Sequence, residues 1–316
     1  MGTVPIPYQP MLLSSAPCPP AGDRWVHEPK LDGWRCIAQV QDRKVRLWTR
    51  GGQEWSRLLP ELSCLVDLGD LVLDGELVAL SPDGRADFDL LSTRMTGTAT
   101  DLPVCLYVFD ILRLREHELV QTTWADRREA LDALDLGGRT AGQVRTTIWT
   151  TDGAATHRAS AEVGAEGTVS KRRGSSYRPG RSRYWVKAKH SLTQTLDVLG
   201  WRPSTHIRPA ELIVGEGGEP IGAATLAIAP DQREALAQLL GRYGTHHQTG
   251  LVTIPNGCLN ATVRYTSRTP ARGRLREPVA IEVHADGNAW GRPVANDSTG
   301  HGVVEPKVSD RYSQGG

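Results

Sequence analysis

Short apolar runs with the residue types of β-strands recur along the chain, and they limit the folds that it can adopt. Runs rich in β-branched and aromatic residues predict strands at RWVHEP, WRCIAQV, KVRLWT, LVLDGELVAL and PVCLYVFDIL, with the polar QDRK as a hairpin turn. Helical patterns are fewer, and the best candidates are DFDLLSTRM, TWADRREALDAL and a helix from Asp152 to Val163 capped by Thr151. Because strands and helices do not alternate regularly, we predict an α+β fold with antiparallel sheets rather than a doubly wound one.

The sequence changes character after His190, where short strand-like runs are interrupted by glycine and proline. Strands are predicted at TLDVLGWRP, AELIVGE, IGAATLAIA and ATVRYTS, with one helix among them at PDQREALAQLLGRYG. Several strands around one helix are typical of a small all-β barrel of the oligonucleotide-binding (OB) kind. We therefore predict a first domain over residues 1–189 with a proline-rich N-terminal arm on the surface, an OB-fold domain over 190–305 and a flexible tail over 306–316.

Composition narrows the class of protein. A chain of 316 residues that is 39% hydrophobic and 23% charged is expected to form two globular domains. The start MGTVPIPYQP lacks the pattern of a signal peptide, and no long apolar run predicts a membrane span. The cysteines are scattered, without a C-x-x-C pair or a histidine cluster at zinc-ligand spacing. We predict free thiols, no zinc finger and a cytoplasmic location.

Basic residues are unevenly distributed in position and in type. Residues 166–190, EGTVSKRRGSSYRPGRSRYWVKAKH, contain eight Lys or Arg and one Glu, so this segment carries +7 in a chain of net charge +1. Of the 37 basic residues, 31 are arginines and only six are lysines. Because an arginine stays protonated while a lysine can lose its proton and act as a nucleophile, each lysine in such a chain indicates a specific requirement.

Four of the six lysines fall within short motifs of the first domain, and each motif has an ordinary explanation when it is taken alone. HEPKLDGWRC is then a turn with a salt bridge, TRGG a hairpin turn, and LYVFDIL a core strand. LDGE is then an edge-strand glutamate that follows a turn at Asp74 and Gly75. EGTVSK and WVKAKH place their charged residues at the ends and on one side of predicted strands.

In their order along the chain, these motifs resemble those of the nucleotidyltransferase core of ATP-dependent DNA ligases and of their relatives, the capping enzymes and RNA ligases. The family pattern is K-x-D-G-x-R, S/T-R-x-G, D-G-E, an aromatic residue before D, E-G-x-V and W-x-K-x-K, and all six elements are present. The connecting segments ADFDLLSTRM and SSYRPGRSRYW are more similar to those of DNA ligases. The resemblance is close over residues 25–189 and implies a nucleotidyltransferase (adenylation) domain followed by an OB-fold domain.

The resemblance implies that Lys30 attacks the α-phosphate of ATP, releases pyrophosphate and carries AMP on its side-chain nitrogen. The attack needs a neutral amine, so a metal ion, Lys187 or Lys189, and partial desolvation would have to favour loss of the proton. Lys187 and Lys189 would also stabilise the charge that builds on the phosphoryl oxygens. These three lysines are the predicted catalytic residues.

Further nucleotide and metal contacts are implied by the same resemblance. Glu166 and Glu76 would hold a divalent metal ion, Mg²⁺ or Mn²⁺, because such ions prefer oxygen ligands. Glu76 would also accept hydrogen bonds from the ribose hydroxyls, and Phe109 would stack on adenine. Other contacts are expected from Glu28 at the adenine edge, Arg35 and Arg50 at the ribose and phosphate, and Lys171.

The implied substrate is nicked double-stranded DNA: AMP passes to the 5′-phosphate of the nick, and the adjacent 3′-hydroxyl then displaces it. The alternative for the +7 segment is a solvated loop, but we expect it to bind backbone phosphates. We expect a monomeric, minimal repair-type ligase that depends on repair-protein partners for recruitment. The predicted DNA-binding residues are Arg172, Arg173, Arg178, Arg181 and Arg183.

The final motif of the family is only partly present. Basic residues of an R-x-D-K pattern are expected to contact the leaving pyrophosphate, and LREPV resembles the run that precedes them. The downstream Arg and Lys are replaced by Glu282, His284 and Asp286. We expect nearby arginines to substitute, with Arg276 as the main candidate after Arg272 and Arg274. The alternative is slow self-adenylation with the later steps intact.

Two further functions are compatible with the sequence. One is an RNA ligase or a GTP-using capping enzyme, which the connecting segments disfavour. The other is a catalytically weak nucleic-acid-binding module that has kept the fold. The intact Lys30, Glu166, Lys187 and Lys189 argue against this second function.

Overall fold

The structure is a computed structural model that describes residues 5–291, except for residues 83, 98, 100, 207–208, 228–229, 248–249, 269–272 and 286–287. The predicted tail, Arg272 and Asp286 lie outside the described residues. The chain divides into two compact units, Met1–Leu192 and Thr193–Gly316. Within the described ranges, none of the helices combines the length and apolar character that a membrane-spanning helix needs.

The first unit is built from two β-sheets with helices around them. Its strands are β1 Met11–Ser15, β2 Trp25–Lys30, β3 Trp34–Gln41, β4 Lys44–Thr49, β5 Leu71–Ala79, β6 Val104–Leu114, β7 His117–Glu118, β8 Val144–Thr146, β9 Gly167–Arg172 and β10 Gly180–Lys189. Its helices are α1 Phe88–Met95, α2 Trp124–Asp132, α3 Leu136–Arg139 and α4 Gly153–Glu162, with 3₁₀ turns at Ser56–Leu58 and Pro60–Leu68.

One sheet has the order β1-β10-β9-β2, and the other has the order β4-β3-β5-β6-β7, with β8 paired to β6. An apolar cluster that includes Met11 from β1, Trp48 from β4, Phe109 from β6 and Trp185 from β10 joins side chains of the two sheets. A larger core covers the remaining apolar side chains of β3, β5 and β6 with the 3₁₀ turns and α1 to α3. The α+β prediction is confirmed.

The second unit is a β-barrel with one helix. Its elements are β11 Leu192–Arg202, β12 Glu211–Glu216, β13 Glu219–Leu226, α5 Pro230–Tyr243, β14 Thr245–His246, β15 Val252–Thr253, β16 Asn260–Tyr265, β17 Ser267–Arg268, β18 Leu275–Arg276, β19 Val279–Ala285 and β20 Asn288–Gly291. β12 pairs with both β13 and β11, so that β12, β13, β19, β16 and β11 close into a ring. A closed ring of five strands with one helix is the OB-fold architecture that the sequence predicts.

Several local predictions were wrong. The N-terminal arm is not confined to the surface, because Met11–Ser15 forms an edge strand parallel to β10 and Met11 is fully buried. Asp74 and Gly75 do not form a turn; they lie inside β5, where the pairing with β6 shifts register. The cap of α4 is Asp152 rather than Thr151, since its side chain accepts a hydrogen bond from Ala155 N. Most strand pairs are antiparallel as predicted, and parallel pairs such as β1 with β10 and β6 with β8 occur among them.

Candidate active site

The predicted nucleophile and two predicted partners meet at one end of the first sheet. Lys30 is the last residue of β2, Glu166 precedes β9, and Lys189 is the last residue of β10. Lys30 Nζ donates to Glu166 Oε2, and Lys189 Nζ forms an ion pair with Glu166 Oε1. Burial alone would raise the pKa of Glu166, but the two ammonium groups outweigh burial and lower it. Glu166 is therefore a carboxylate that holds two lysines together.

A buried ion pair lies further along the same strands. Lys171 Nζ donates to Glu28 Oε1 at 2.9 Å and to the Phe109 carbonyl oxygen at 3.0 Å. Burial raises the pKa of Glu28 and lowers that of Lys171, and each charge opposes the shift of the other. The ammonium group of Lys171 lies 4.4 Å from the centroid of the Phe109 ring. The pair fixes both side chains beside that ring.

The Arg35 side chain is held in place by residues that were not predicted from the sequence to belong to the site. Its guanidinium group forms a two-pronged pair with Asp74, and Nη2 also donates to the Met11 carbonyl oxygen. Tyr177 Oη donates to Asp74 Oδ2 at 2.5 Å and accepts a hydrogen bond from Met11 N. The guanidinium carbon lies 4.5 Å from the Phe109 ring centroid. The Arg35 guanidinium group is thus fixed between the Phe109 ring and the fully buried Asp74 carboxylate.

Glu76 stands opposite Arg35 in the pairing of β3 with β5. Burial raises the pKa of the Glu76 carboxyl to about 7, although Lys30 and Arg35 act in the opposite direction. The adjacent backbone is tightly packed, because a Cβ atom on Gly33 would lie 2.3 Å from the Leu77 carbonyl oxygen. The glycine of the K-x-D-G motif is therefore required by the close approach of the loop between β2 and β3 to β5.

Two clefts meet at Lys30. The first is lined by Glu28, Lys30, Arg35, Glu76, Phe109 and Lys171 together with Leu13, Val169 and Trp185. The second shares Lys30, Arg35 and Glu76, and adds Arg50, Arg181 and Lys187. A small cleft with an aromatic ring suits a planar base, and a basic cleft suits phosphates. Lys30, the predicted nucleophile, lines both clefts.

The structure separates the predicted DNA-binding arginines. Arg181 belongs to the basic cleft beside Lys30, and its Nη1 donates to the Leu13 carbonyl oxygen at 2.8 Å. Arg172, Arg173 and Arg178 line another pocket together with Tyr184. Arg183 lies against the Tyr184 ring, with its guanidinium carbon 5.4 Å from the centroid.

Arg276 lies on β18 in the second unit, where it pairs with Ser267.

Sequence reasoning missed Asp74, Tyr177, Trp185 and Met11 as parts of the site. Asp74 was interpreted as part of a turn, whereas Tyr177 and Trp185 lie in the family-like segments SSYRPGRSRYW and WVKAKH but were given no role of their own. Met11 carried no signal, because it contributes backbone atoms that any residue offers.

Two carboxylates beside Lys30, those of Glu166 and Glu76, are candidate ligands for a divalent metal ion. Among the described residues, no group of three His, Cys, Asp or Glu side chains is arranged to hold a metal ion. Mg²⁺ is usually held by one or two carboxylates together with phosphates of the substrate, so it needs no such protein cage. Glu166 and Glu76, both next to Lys30, fit that requirement.

Fold and site together define a nucleotidyltransferase with an OB-fold domain. Comparison with known proteins is consistent with that class: the family model for the ATP dependent DNA ligase domain matches residues 12–189. The chain belongs to the ATP-dependent DNA ligase family, and the prediction of this family over capping enzymes and RNA ligases is confirmed.

The relatives include long end-joining proteins. The multifunctional non-homologous end joining protein LigD of Pseudomonas aeruginosa is 34% identical over 252 residues, which cover 77% of this chain and 28% of that protein. The chain thus spans less than a third of the length of this curated relative. The ligase domain of Mycobacterium tuberculosis LigD is similar in structure, with a TM-score of 0.55 and 29% identity over 88% of this chain and 95% of that chain. A mycobacterial DNA ligase D complexed with ATP and MES matches over the same shares, with a TM-score of 0.54 and 29% identity.

Proposed function

We propose that this chain seals nicks in duplex DNA with ATP, through AMP bound to Lys30. The observation that carries the proposal is that Lys30 lines both the cleft that contains the Phe109 ring and the basic cleft, and that its Nζ forms an ion pair with Glu166. The relatives whose names refer to end joining and to ATP support the same substrates.

In the first step, Lys30 Nζ forms a bond to the α-phosphorus of ATP while the bond to pyrophosphate breaks. Phe109 stacks on adenine, Glu28 and Lys171 lie at the adenine edge, and Glu76 accepts from the ribose hydroxyls. Arg35, fixed by Asp74, closes the cleft between base and phosphate. These contacts hold the phosphorus in reach of one amine, which lowers the entropic cost of the attack.

Charge develops on the phosphoryl oxygens during this step. Lys187 and Arg50 line the basic cleft, and Lys189 shares Glu166 with Lys30. Fixed cations at that position stabilise the transition state more than the ground state. A magnesium or manganese ion held by Glu166 and Glu76 would supply further positive charge beside the phosphates. Lys30 becomes a nucleophile when its ammonium group leaves Glu166 and loses its proton.

The later steps use the same site. The 5′-phosphate of the nick takes AMP from Lys30, and the 3′-hydroxyl then displaces AMP as the strand closes. Arg172, Arg173, Arg178, Arg181 and Arg183 bind DNA backbone phosphates in this proposal, so binding weakens as salt is raised. Arg276 contacts the leaving pyrophosphate in place of the missing basic residues of the final motif.

The setting of the reaction is also part of the proposal. The protein acts as a monomer in the cytoplasm, with repair-protein partners that bring it to breaks. All five cysteines are free in the structure, as a reducing compartment allows. The domains are residues 1–189 for adenylation and 190–305 for the OB fold, with 306–316 as a tail.

Labelled nucleotide tests the proposed function. The protein is incubated with Mg²⁺ and α-labelled ATP or GTP, and nicked DNA or nicked RNA is then added. Label from ATP that binds the protein and moves to a DNA nick is expected. Label from GTP alone would show a capping-type enzyme, and transfer to RNA alone would show an RNA ligase. Absence of label from both the wild type and Lys30→Ala would favour the weak binding module.

A further inference from the structure

The chain lacks basic side chains at positions of the final motif where the resemblance predicts contacts with pyrophosphate. Glu282 and His284 stand there instead. His284 Nε2 shares a hydrogen bond with Thr262 Oγ1 at 3.0 Å and lies 3.6 Å from Glu282 Oε2, so these side chains contact each other inside the second unit. A carboxylate repels pyrophosphate because both are negatively charged. Further cations for the leaving group, besides Arg276, are therefore expected elsewhere in the chain.

The basic cleft at Lys30 is lined by five Lys or Arg residues and one carboxylate, Glu76. Lys30 and Arg35 are each paired with a carboxylate and also line the cleft that contains the Phe109 ring. The other three cations line the basic cleft but not the cleft of the Phe109 ring: Arg50, Arg181 and Lys187. With adenine on Phe109 and the α-phosphate at Lys30, the β- and γ-phosphates of ATP extend towards these three cations.

The direction in which pyrophosphate leaves is set by Lys30. In phosphoryl transfer the attacking and leaving atoms are roughly in line through the phosphorus atom. Pyrophosphate therefore departs on the side of the α-phosphate that faces away from Lys30 Nζ. In the second step the Lys30 nitrogen is the leaving group, so the 5′-phosphate of the nick must enter from that same side. One set of cations can hence serve pyrophosphate and the nick phosphate in turn.

Arg181 is held at the basic cleft by the backbone of β1. Its exposed side chain donates from Nη1 to the Leu13 carbonyl oxygen at 2.8 Å, and Leu13 lines both clefts. The pairing of β1 with β10 places Leu12 opposite Arg181 and supports this contact. A carbonyl oxygen carries no net charge, so it orients the guanidinium group without cancelling the charge. The remaining N–H groups can bind phosphate oxygens.

We propose that Arg181 binds the β- and γ-phosphates of ATP and the pyrophosphate that leaves, in addition to DNA phosphates. Negative charge grows on the oxygen between the α- and β-phosphorus as that bond breaks, so a fixed cation beside it stabilises the transition state more than the ground state. Arg181 thus supplies, from the first unit, a contact that the resemblance assigns to the final motif. The inference rests on the proposed function, since it takes Lys30 as the nucleophile.

The reverse of the first step isolates this contact. A pyrophosphate oxygen attacks the phosphorus of lysyl-AMP, and the phosphorus–nitrogen bond breaks. Its electron pair returns to Lys30 Nζ, which takes a proton from water, and ATP is released. The rate of ATP release at increasing pyrophosphate concentration gives the half-saturating concentration of pyrophosphate. No DNA is present, so the DNA contacts of Arg181 do not enter the measurement.

The test compares the wild type with Arg181→Gln, Arg181→Lys and Arg158→Gln, which removes one exposed charge from α4. Each full-length protein is loaded with α-labelled ATP and Mg²⁺, with longer incubation for slow variants, and is separated from free nucleotide. Mg²⁺ and pyrophosphate are then added, and labelled ATP is measured over time. Equal unfolding temperatures verify the fold, and Arg181→Lys carries the test if Arg181→Gln is unstable.

We expect the half-saturating concentration of pyrophosphate to rise about tenfold in Arg181→Gln, because a hydrogen bond to a charged group is lost. Arg181→Lys should recover part of the loss, since lysine keeps the charge but not the paired geometry of a guanidinium group. Arg158→Gln should match the wild type. An unchanged value in Arg181→Gln, or an equal rise in Arg158→Gln, would overturn the inference alone. A wild type that forms no lysyl-AMP would contradict the proposed function, and the inference with it.

Discussion

At the scale of single residues, the site depends on carboxylates that hold basic side chains in place. Glu166 holds Lys30 and Lys189, Asp74 holds Arg35, and Glu28 holds Lys171. The motifs single out Lys30, Glu28, Arg35, Glu166 and Lys171, and the structure brings these five residues together, while their roles stay predictions. Asp74 was not predicted, since it acts through Arg35 and its own motif fits a turn equally well.

Tyr177→Phe tests the support of Arg35. The substitution keeps the ring, which is almost fully buried, and removes the hydroxyl that donates to Asp74. A hydrogen bond to a buried carboxylate contributes about 2 kcal/mol, so the free energy of unfolding should fall by about that amount. Urea denaturation measures the change, and lysyl-AMP formation should slow at low ATP. Tyr107→Phe is the matched control, and an equal loss in both variants would contradict the role of Tyr177.

Glu76 predicts a pH dependence of nucleotide binding. Its carboxyl has a pKa raised to about 7, and only the ionised form offers both oxygens to the ribose hydroxyls. ATP should therefore bind Lys30→Ala more tightly as pH rises through the pKa of Glu76, which loss of the Lys30 charge raises further. Without nucleotide the sign for stability is opposite, because ionising a buried carboxyl costs the folded state. Calorimetry should show neither the trend in ATP binding nor the trend in stability for the double variant Lys30→Ala/Glu76→Gln. A trend that persists in the double variant would come from another titrating group and would contradict the role of Glu76.

At the scale of elements, the order of the strands in the first sheet brings the predicted catalytic residues together at one end of the sheet. β2, β9 and β10 are neighbours, so motifs far apart in sequence end side by side. A run rich in β-branched and aromatic residues predicted β2, and the motifs EGTVSK and WVKAKH predicted β9 and the last part of β10. β1 was missed because its neighbouring prolines indicate an extended arm. Pairing with β10 is a long-range contact, and no local pattern encodes it. The pattern of strands around one helix likewise predicted the barrel but not its closure through β12 and β11.

Two histidines near the contact of α4 with β9 predict that the fold loses stability as pH is lowered. His157 Nδ1 forms a hydrogen bond with Thr168 Oγ1, and His190 Nε2 forms one with Ser160 Oγ. The centroids of the two imidazole rings are 4.1 Å apart. Burial, with the neighbouring His157, lowers the pKa of His190 to about 4, and burial also lowers that of His157. Groups with depressed pKa stabilise the fold above their unfolded pKa of about 6.5 and lose that contribution as pH falls.

The unfolding temperature should therefore fall as pH is lowered from about 6.5 to 4. The double variant His157→Gln/His190→Gln should show a shallower fall in a calorimetric scan series. His117→Gln, at an exposed position on β7, should keep the wild-type slope. Identical slopes in all three proteins would show that other groups cause the dependence.

At the scale of the whole molecule, a nucleotidyltransferase unit and an OB-fold unit account for every motif that the sequence carries except the final one. The sequence predicted both units because the pattern of strand-like runs and turns changes after His190. It did not predict that the +7 segment divides between the basic cleft at Lys30 and a separate pocket, since Arg173 and Arg178 lie in the loop between β9 and β10, whereas Arg181 and Lys187 lie on β10. The account as a whole depends on one claim, that Lys30 carries AMP.

Peptide mass mapping tests that claim most directly. The protein is incubated with ATP and Mg²⁺ without DNA, digested under neutral conditions that preserve a phosphorus–nitrogen bond, and analysed by fragmentation. We expect one peptide to gain the mass of AMP, with the adduct on Lys30, and Lys30→Arg to gain none because arginine stays protonated. An adduct on another residue, or an adduct that persists in Lys30→Arg, would contradict the account.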